Sequence, residues 1–223
     1  MYNSAATIEE TVESCVNQQY ANVEVIIVDD SSKDDSFAVA EKLAEEYTNV
    51  KVYRQPNSGA CRARNLAFEH SSGEYIQYLD ADDILSLDKI SAQMELALAN
   101  ERNDMFFCRW QRFTGSTSAA VPNNLFIYKN YPVASNWLVD SWFGRGALQT
   151  ACWLLSRDLV IAAGEWNETL LKNQDGEFFS RAILKADKMF YEPKGIVYYR
   201  DSGITSISGN KNYPTSESTF RSY

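Results

Sequence analysis

Two apolar, strand-like runs in the first half of the chain each end in clustered aspartates, and this pattern constrains the fold most. Residues 23–28 are Val-Glu-Val-Ile-Ile-Val and lead into Asp29 and Asp30. Residues 75–79 are Tyr-Ile-Gln-Tyr-Leu and lead into residues 80–83, Asp-Ala-Asp-Asp. β-branched and aromatic runs of this length predict strands. Because parallel sheets bind ligands at the carboxyl ends of their strands, two acid-terminated strands predict a site at one sheet edge.

Segments with helical spacing separate these runs and predict an α/β protein. Helices are predicted at residues 5–18, 36–47, 60–69, 88–100, 157–163 and 175–186. Further strands are predicted at residues 50–53, 104–113, 153–155, 188–192 and 195–199. Residues 115–136 are polar and are expected to form an extended loop region. This alternation predicts a Rossmann-like, mostly parallel sheet flanked by helices. Such a sheet normally opens with a strand, yet residues 1–3 lead directly into a helix, so we expect the first strand to be missing.

Composition excludes several classes of partner. The formal net charge is −9, so the chain gains no long-range attraction to nucleic acid or anionic lipid, and neither is expected as a main partner. The four cysteines lack metal-binding spacing, which predicts buried thiols in a reducing compartment. With no secretory leader or long apolar span in view, we expect a cytoplasmic protein whose membrane contact, at the inner face, is at most peripheral.

Asp80 and Asp82 are the main candidates for metal chemistry. Residues i and i+2 of an extended segment point to the same side, and two carboxylates about 6 Å apart repel by roughly 3 kcal/mol at an effective dielectric near 20. Mn²⁺ or Mg²⁺ offsets such repulsion, prefers carboxylate oxygen and keeps positions open for phosphate. The alternative is a solvated acidic turn in which Asp83 caps the following segment.

Three other segments have both a functional and a structural interpretation. Asp30 could accept hydrogen bonds from a base or ribose, or it could belong to the N-cap region of the next helix. The turn at residues 56–59 precedes a helix, so its free N–H groups suit an anion, and Arg64 adds a fork-shaped donor. Asp175 could be a general base or a plain N-cap, and the residues alone favour the cap.

Taken together, these motifs resemble the family 2 inverting glycosyltransferases, which have the GT-A fold. The resemblance covers nearly the whole chain, in the family's order and spacing. Ser31 stands where the family usually has Gly, and Gln174 where it usually has Glu. The segments that carry the resemblance are Tyr2–Ser4, Val25–Ser32, Asn57–Gly59, Ala63–Asn65, Gly73–Asp83, Gly164–Glu168, Gln174–Glu177 and Tyr198–Arg200.

The resemblance implies one GT-A domain over residues 1–223, with a nucleotide-binding half at 1–113 and an acceptor-binding half at 114–223. It implies a metal-dependent, hexosyltransferase-type enzyme that moves a sugar, with inversion, from a nucleotide-diphosphate sugar to a hydroxyl. A UDP-sugar is the first choice of donor. A saccharide or lipid-linked saccharide is the expected acceptor, in polysaccharide or glycoconjugate biosynthesis. A domain that binds nucleotide sugars without catalysis is the alternative.

The resemblance also assigns roles to residues. Asp175 would be the catalytic base, and the neutral neighbour Gln174 would help to keep it ionised. Asp82 would bind Mn²⁺ or Mg²⁺ through the Asp-x-Asp motif. The nucleotide sugar would be contacted by Tyr2, Asp30, Asn57, Gly59, Arg64, Asp80, Ala81 and Arg200. Acceptor choice is expected in residues 115–149, whose aromatic side chains suit sugar stacking and core packing equally: Tyr128, Tyr131, Trp137, Trp142 and Phe143.

Overall fold

The computed structural model describes residues 1–201, which form helices and strands in the predicted alternation. The first half contains α1 (Ile8–Val16), β1 (Val25–Asp29), α2 (Ser36–Glu46), β2 (Val50–Arg54), α3 (Ala60–His70), β3 (Tyr75–Ile76), β4 (Ile84–Leu85) and α4 (Lys89–Leu98). The second half contains β5 (Met105–Phe113), α5 (Ser135–Trp142), β6 (Trp153–Ser156), α6 (Arg157–Ala163), α7 (Gln174–Ile183) and β7 (Met189–Arg200). The predicted α/β class is confirmed. Residues 202–223, the end of the predicted acceptor-binding half, lie outside the described residues.

Two sheets carry these strands in the described part of the chain. β1 and β2 pair in parallel, and the other strands form a sheet in the order β3-β6-β5-β7-β4. The long β5–β7 ladder is also parallel, whereas β3–β6, β5–β6 and β4–β7 are short antiparallel pairings. The prediction of a mostly parallel sheet therefore holds for the long ladders and is wrong for the short pairings. An apolar run predicts a strand but not its direction, which tertiary packing decides.

A groove separates the two sheets along the side of β1 that faces away from β2. Met1 pairs with β1 at the groove's end. Its ammonium group donates to the Val28 carbonyl at 2.6 Å, and the Asp30 N–H donates to the Met1 carbonyl at 2.9 Å. Within residues 1–201, the strand that pairs with β1 is β2.

Each sheet has its own apolar core. The small core of the β1–β2 sheet consists of Ile8, Val12, Ile27, Ala40, Leu43 and Val50. The large core surrounds the five-stranded sheet, where residues 105–108 of β5 are completely buried. Burial of β5 on both faces explains its continuous apolar run. The cysteines are free thiols, of which Cys61, Cys108 and Cys152 are buried and Cys15 is half-buried.

The segment between β5 and β6 differs most from the prediction. Residues 115–136 were expected to form a loop, but α5 begins at Ser135. Tyr131 and Trp137 pack in the core, which excludes them as sugar-stacking platforms, whereas Trp142 and Phe143 are 73% and 76% exposed.

The strands predicted at 188–192 and 195–199 are one strand, β7. None of the helices in residues 1–201 has the length and apolar composition needed to cross a bilayer.

Candidate active site

The structure brings all ten predicted site residues to the groove between the two sheets, whose volume is about 1740 Å³. They come from six places in the fold: the chain start, the end of β1, the turn and first residues of α3, the turn before β4, the beginning of α7 and the end of β7. The residues that line the groove include Tyr2, Asp30, Asn57, Gly59, Arg64, Asp80, Ala81, Asp82, Asp175 and Arg200. Residues distant in sequence thus line the same groove.

Asp30 organises the turn that precedes α3. Its Oδ1 accepts from the Ser58 N–H and from Gln55 Nε2, both at 2.7 Å, and its Oδ2 accepts from the Gly59 N–H at 2.9 Å. The prediction that this turn offers free N–H groups to a bound anion is therefore wrong for Ser58 and Gly59, because Asp30 is the anion that they bind. Asn57 donates to the Asp30 carbonyl at 2.9 Å.

The acidic turn at residues 80–83 is held from both sides. The Arg200 N–H donates to Asp83 Oδ1 at 3.0 Å, and Arg200 Nε donates to the Asp82 carbonyl at 2.8 Å. From the side of the β1–β2 sheet, the hydroxyl of Thr7, the N-cap residue of α1, donates to the Ala81 carbonyl at 2.9 Å. These bonds hold the backbone of residues 81 and 82 and the side chain of Asp83, and so they restrict where the Asp82 carboxylate can lie.

Several acids share this end of the groove, and they disfavour one another's charge. Burial, followed by the charge of Asp80, raises the pKa of Asp82 above its ordinary value. Burial and the same neighbour raise the pKa of Asp83 to about 8. Asp83 is 1% exposed and bonded to the backbone of Arg200, which supports its structural interpretation. The site is therefore one where a cation would relieve electrostatic repulsion.

Arg64 is the cation that lies closest to these acids from the α3 side. Its Nη2 donates to Asp80 Oδ1 at 2.7 Å, and its Nη1 donates to Gln174 Oε1 at 3.2 Å. Its guanidinium group lies 4.5 Å from the ring centre of Trp166. This one side chain therefore connects the acidic turn, the loop before α7 and α7 itself.

Asp175 faces the groove from the first turn of α7. The N-cap of α7 is Asn173, which has a left-handed backbone (φ 54°), so the interpretation of Asp175 as the N-cap is wrong. Burial raises the pKa of Asp175, the charge of Asp80 adds to this, and the Gly176 N–H and Arg64 oppose it. A neutral Gln174 was expected to favour the ionised form, but burial acts in the opposite direction. A half-buried carboxyl with a raised pKa suits proton transfer.

Comparisons with known proteins identify the family of the chain. The model of the family described as "Glycosyl transferase family 2" matches residues 1–161. The chain belongs to this family. An uncharacterized glycosyltransferase of Escherichia coli, YibD, is 31% identical over 95% of the chain and 64% of its own length. The E. coli family relative WfaP, named a UDP-Glc:alpha-D-GlcNAc-diphosphoundecaprenol beta-1,3-glucosyltransferase, is 39% identical over 48% of the chain and 41% of its own length. The chain spans about half the length of the curated relatives it matches.

Solved structures show the same fold as this family member. TarS of Staphylococcus aureus, solved with UDP-GlcNAc, matches with a TM-score of 0.82 at 20% identity, over 100% of the chain and 63% of its own. GalNAc-T7, solved with UDP, GalNAc and Mn²⁺, matches with a TM-score of 0.72 at 15% identity, over 97% of the chain and 44% of its own. At these identities the likeness shows the fold alone, which is the predicted GT-A fold.

The described residues offer a cation few protein ligands. No group of three or more His, Cys, Asp or Glu side chains among residues 1–201 is arranged to hold a metal ion. The acids that line the groove include Asp30, Asp80, Asp82 and Asp175, of which Asp30 binds the turn before α3 and Asp80 pairs with Arg64. Carboxylate oxygens such as those of Asp82 are the donor type that a hard divalent cation prefers.

Two residues that support the site, Trp166 and Asn65, were not predicted to do so. Trp166 is 2% exposed and stacks on Phe178 of α7 with ring centres 4.2 Å apart, while its other contacts include Arg64. Asn65 binds the same loop: its Oδ1 accepts from the Trp166 N–H at 2.8 Å, and its Nδ2 donates to the Trp166 carbonyl at 3.0 Å. The motifs contained both residues, but their spacing of about 100 positions gave no sign of contact.

Proposed function

We propose that this family 2 member transfers a sugar from a UDP-sugar to a hydroxyl of a saccharide or lipid-linked saccharide acceptor, with inversion at the anomeric carbon. The reaction would serve polysaccharide or glycoconjugate synthesis. The observation that carries the proposal is one groove in which the Asp80–Asp82 turn and Asp175, from opposite halves of the chain, come together through Arg64. The UDP-linked names of WfaP and TarS support the choice of donor.

The arrangement suits a single displacement with Asp175 as the base. Its carboxylate would remove the proton of the acceptor hydroxyl, whose oxygen would attack the anomeric carbon on the face opposite the diphosphate. The bond from the anomeric carbon to the phosphate oxygen would break, and UDP would leave with the electron pair. The transition state would have oxocarbenium character, as in other reactions at an anomeric carbon.

Asp82 is the residue that we propose to hold Mn²⁺ or Mg²⁺. Its carboxylate oxygens suit a hard cation, and the donor's phosphates would supply the ligands that the described residues lack. A bound cation would stabilise negative charge on the departing diphosphate. Asp80 lies beside Asp82 and pairs with Arg64, so we assign it a contact with the donor rather than the main metal role.

A thermal-shift panel tests the donor assignment. UDP, GDP, ADP and their common sugar conjugates would be tested with and without Mn²⁺. UDP is expected to raise the melting temperature most, because a ligand that binds the folded state stabilises it by about 2.7 kcal/mol at 100 times its Kd. The Asp82→Ala variant is expected to lose the Mn²⁺-dependent part of this rise. The matched control Asp158→Ala, an exposed acid of α6, should behave like the wild type.

Release of UDP from UDP-sugars separates the enzyme from a domain that only binds. UDP release that is faster with a simple glycoside acceptor than without one supports transfer, because release without an acceptor sends the sugar to water. Binding of UDP without any turnover would favour the non-catalytic alternative. An unchanged rate and Mn²⁺ response in Asp82→Ala would contradict the metal assignment, and an equal response to all nucleotides would contradict the choice of UDP.

A further inference from the structure

Arg64 is occupied by contacts within the protein. One branch of its guanidinium group binds Asp80 at 2.7 Å, the other binds Gln174 at 3.2 Å, and its face covers Trp166 at 4.5 Å. Its side chain is 17% exposed, whereas that of Asp80 is 40% exposed. A planar guanidinium that binds two partners and stacks on a ring has one orientation. This is the environment of a residue that fixes other residues.

Gln174 is held at both ends of its amide. While its Oε1 accepts from Arg64, its Nε2 donates to the Leu170 carbonyl at 2.8 Å. Gln174 is the first residue of α7 and immediately precedes Asp175. Its two bonds tie the beginning of α7 to α3 on one side and to the preceding loop on the other. The position of Asp175 therefore depends on the amide of its neighbour.

We propose that Arg64 and Gln174 are positioning residues that hold the base Asp175 at a fixed place relative to Asp80. This proposal rests on the proposed function for the role of Asp175 as base, but the contacts themselves do not. It differs from the sequence-based assignment of Arg64 as a contact of the nucleotide sugar. In this chain the residue before Asp175 is an uncharged Gln, which joins α7 to Arg64 without placing a like charge beside the base.

The proposal predicts different effects on binding and on turnover. Gln174→Ala removes the side-chain amide but leaves the side chains of Asp80, Asp82 and Arg64 present, so affinity for the donor should change little. The base would lose its fixed position, and catalysis depends steeply on such alignment: a misplacement of about 1 Å costs about 100-fold in rate. We therefore expect Gln174→Ala to reduce kcat by about tenfold or more and to leave the KM for the UDP-sugar within about twofold of the wild type, because the removed contact acts mainly on the transition state.

Hydrogen–deuterium exchange gives a readout that needs no activity. The amides of residues 177–180, the first in α7 whose acceptors lie in the preceding turn, would be compared in the wild type, Gln174→Ala, Arg64→Ala and Lys51→Ala. Lys51 is the control cation, because it lies on β2, its side chain is 51% exposed and it pairs with Glu24. We expect exchange to rise by about tenfold in the first two variants, as for a locally released helix end, and to match the wild type in the control.

A conservative variant tests the sign of the charge effect. In Gln174→Glu the carboxylate can still accept from Arg64, but the bond that Nε2 donates to the Leu170 carbonyl is lost, so α7 protection should lie between that of the wild type and that of Gln174→Ala. The added like charge next to Asp175 disfavours its ionised form, so the acidic limb of the rate profile should move to higher pH. Protection as low as in Gln174→Ala, or an unchanged pH profile, would contradict the proposal.

The possible outcomes separate the two proposals. Unchanged α7 exchange in both Gln174→Ala and Arg64→Ala overturns the positioning proposal. Loss of UDP binding in Arg64→Ala, measured by calorimetry with α7 protection intact, also overturns it, because Arg64 would then be a phosphate ligand. If the wild type releases no UDP from any UDP-sugar but the exchange differences are found, the proposed function fails while the fixed geometry of α7 is supported.

Discussion

At the scale of single residues, the raised pKa of Asp175 leads to a kinetic prediction. A base acts only when ionised, and burial raises the pKa of this carboxyl above the ordinary aspartate value of 3.8. As the pH falls through that raised pKa, the carboxylate takes up a proton and activity is lost. The acidic limb of kcat/KM should therefore lie at a higher pH than that of an unperturbed aspartate, as a rate profile from pH 4 to 8 would show.

Asp175→Asn is the matching variant, since the amide has nearly the same shape and cannot accept a proton. We expect kcat to fall by about 100-fold or more, the usual contribution of a general base, and the acidic limb to disappear. UDP affinity should stay within about twofold, because a base acts on the acceptor. Asp158→Asn on the exposed face of α6 is the control. A large loss of UDP affinity would show that Asp175 is a donor contact and not the base.

Asp30 gives a prediction about stability. It is 5% exposed, and its two carboxylate oxygens accept three hydrogen bonds from the turn before α3. In Asp30→Asn, an NH₂ group would replace one acceptor and face a donor. We expect the free energy of unfolding, measured with urea, to fall by about 1–3 kcal/mol, the cost of an unsatisfied buried polar group. Asp35→Asn, at an exposed position, should change it little, and equal stabilities would show that the turn reorganises freely.

At the scale of elements, the first turn of α7 is built around a close contact. A Cβ at Gly176 would lie 2.5 Å from Asn173 Oδ1, nearer than such atoms approach. Replacing Gly by Ala in a helix is normally favourable by about 1 kcal/mol. Here the collision would displace Asn173 and the start of α7. We expect Gly176→Ala to lower kcat by about tenfold, because Asp175 loses alignment, with little gain in melting temperature.

A double variant decides whether that contact is the cause. Asn173 has φ 54°, a conformation that glycine adopts without strain, so Asn173→Gly removes the colliding side chain and keeps the backbone. Asn173→Gly with Gly176→Ala should recover most of the activity lost in Gly176→Ala alone. If the double variant is as slow as the single one, the defect lies elsewhere in α7.

The elements also show how far the sequence was sufficient. β1 and the acidic turn were predictable because apolar runs ended abruptly in aspartates, and the first helices because their spacing was regular. α5 was not predicted, because the helix has only eight residues and the preceding residues 115–134 show no helical or strand periodicity. The bond between Arg64 and Gln174 joins residues 110 positions apart. No local pattern encodes such a contact, and only the packing of α3 against the loop of Trp166 produces it.

At the scale of the whole molecule, the groove divides the chain into two parts of unequal core. The β1–β2 lobe, which we define as residues 1–54, has six buried apolar residues in its cluster. The rest packs around the completely buried β5. The lobe is joined to the rest by bonds such as that from Gln18 Nε2 to the Ser86 carbonyl at 2.8 Å and that from the Ile90 N–H to Gln18 Oε1 at 2.9 Å. The smaller core should open first.

Hydrogen–deuterium exchange with UDP tests this division. We expect amides of β1 and β2 to exchange at least about tenfold faster than those of β5 and β7, since local opening follows local core size. UDP with Mn²⁺ would contact Asp30 on the lobe and the Asp80–Asp82 turn on the other side, so it should close the two parts together. At 100 times its Kd, it should slow exchange in β1 and β2 by up to about 100-fold, as expected of a ligand that binds only the closed state. Uniform exchange without ligand would contradict the two-part stability, and slowing confined to residues 80–83 would show that UDP binds one side alone.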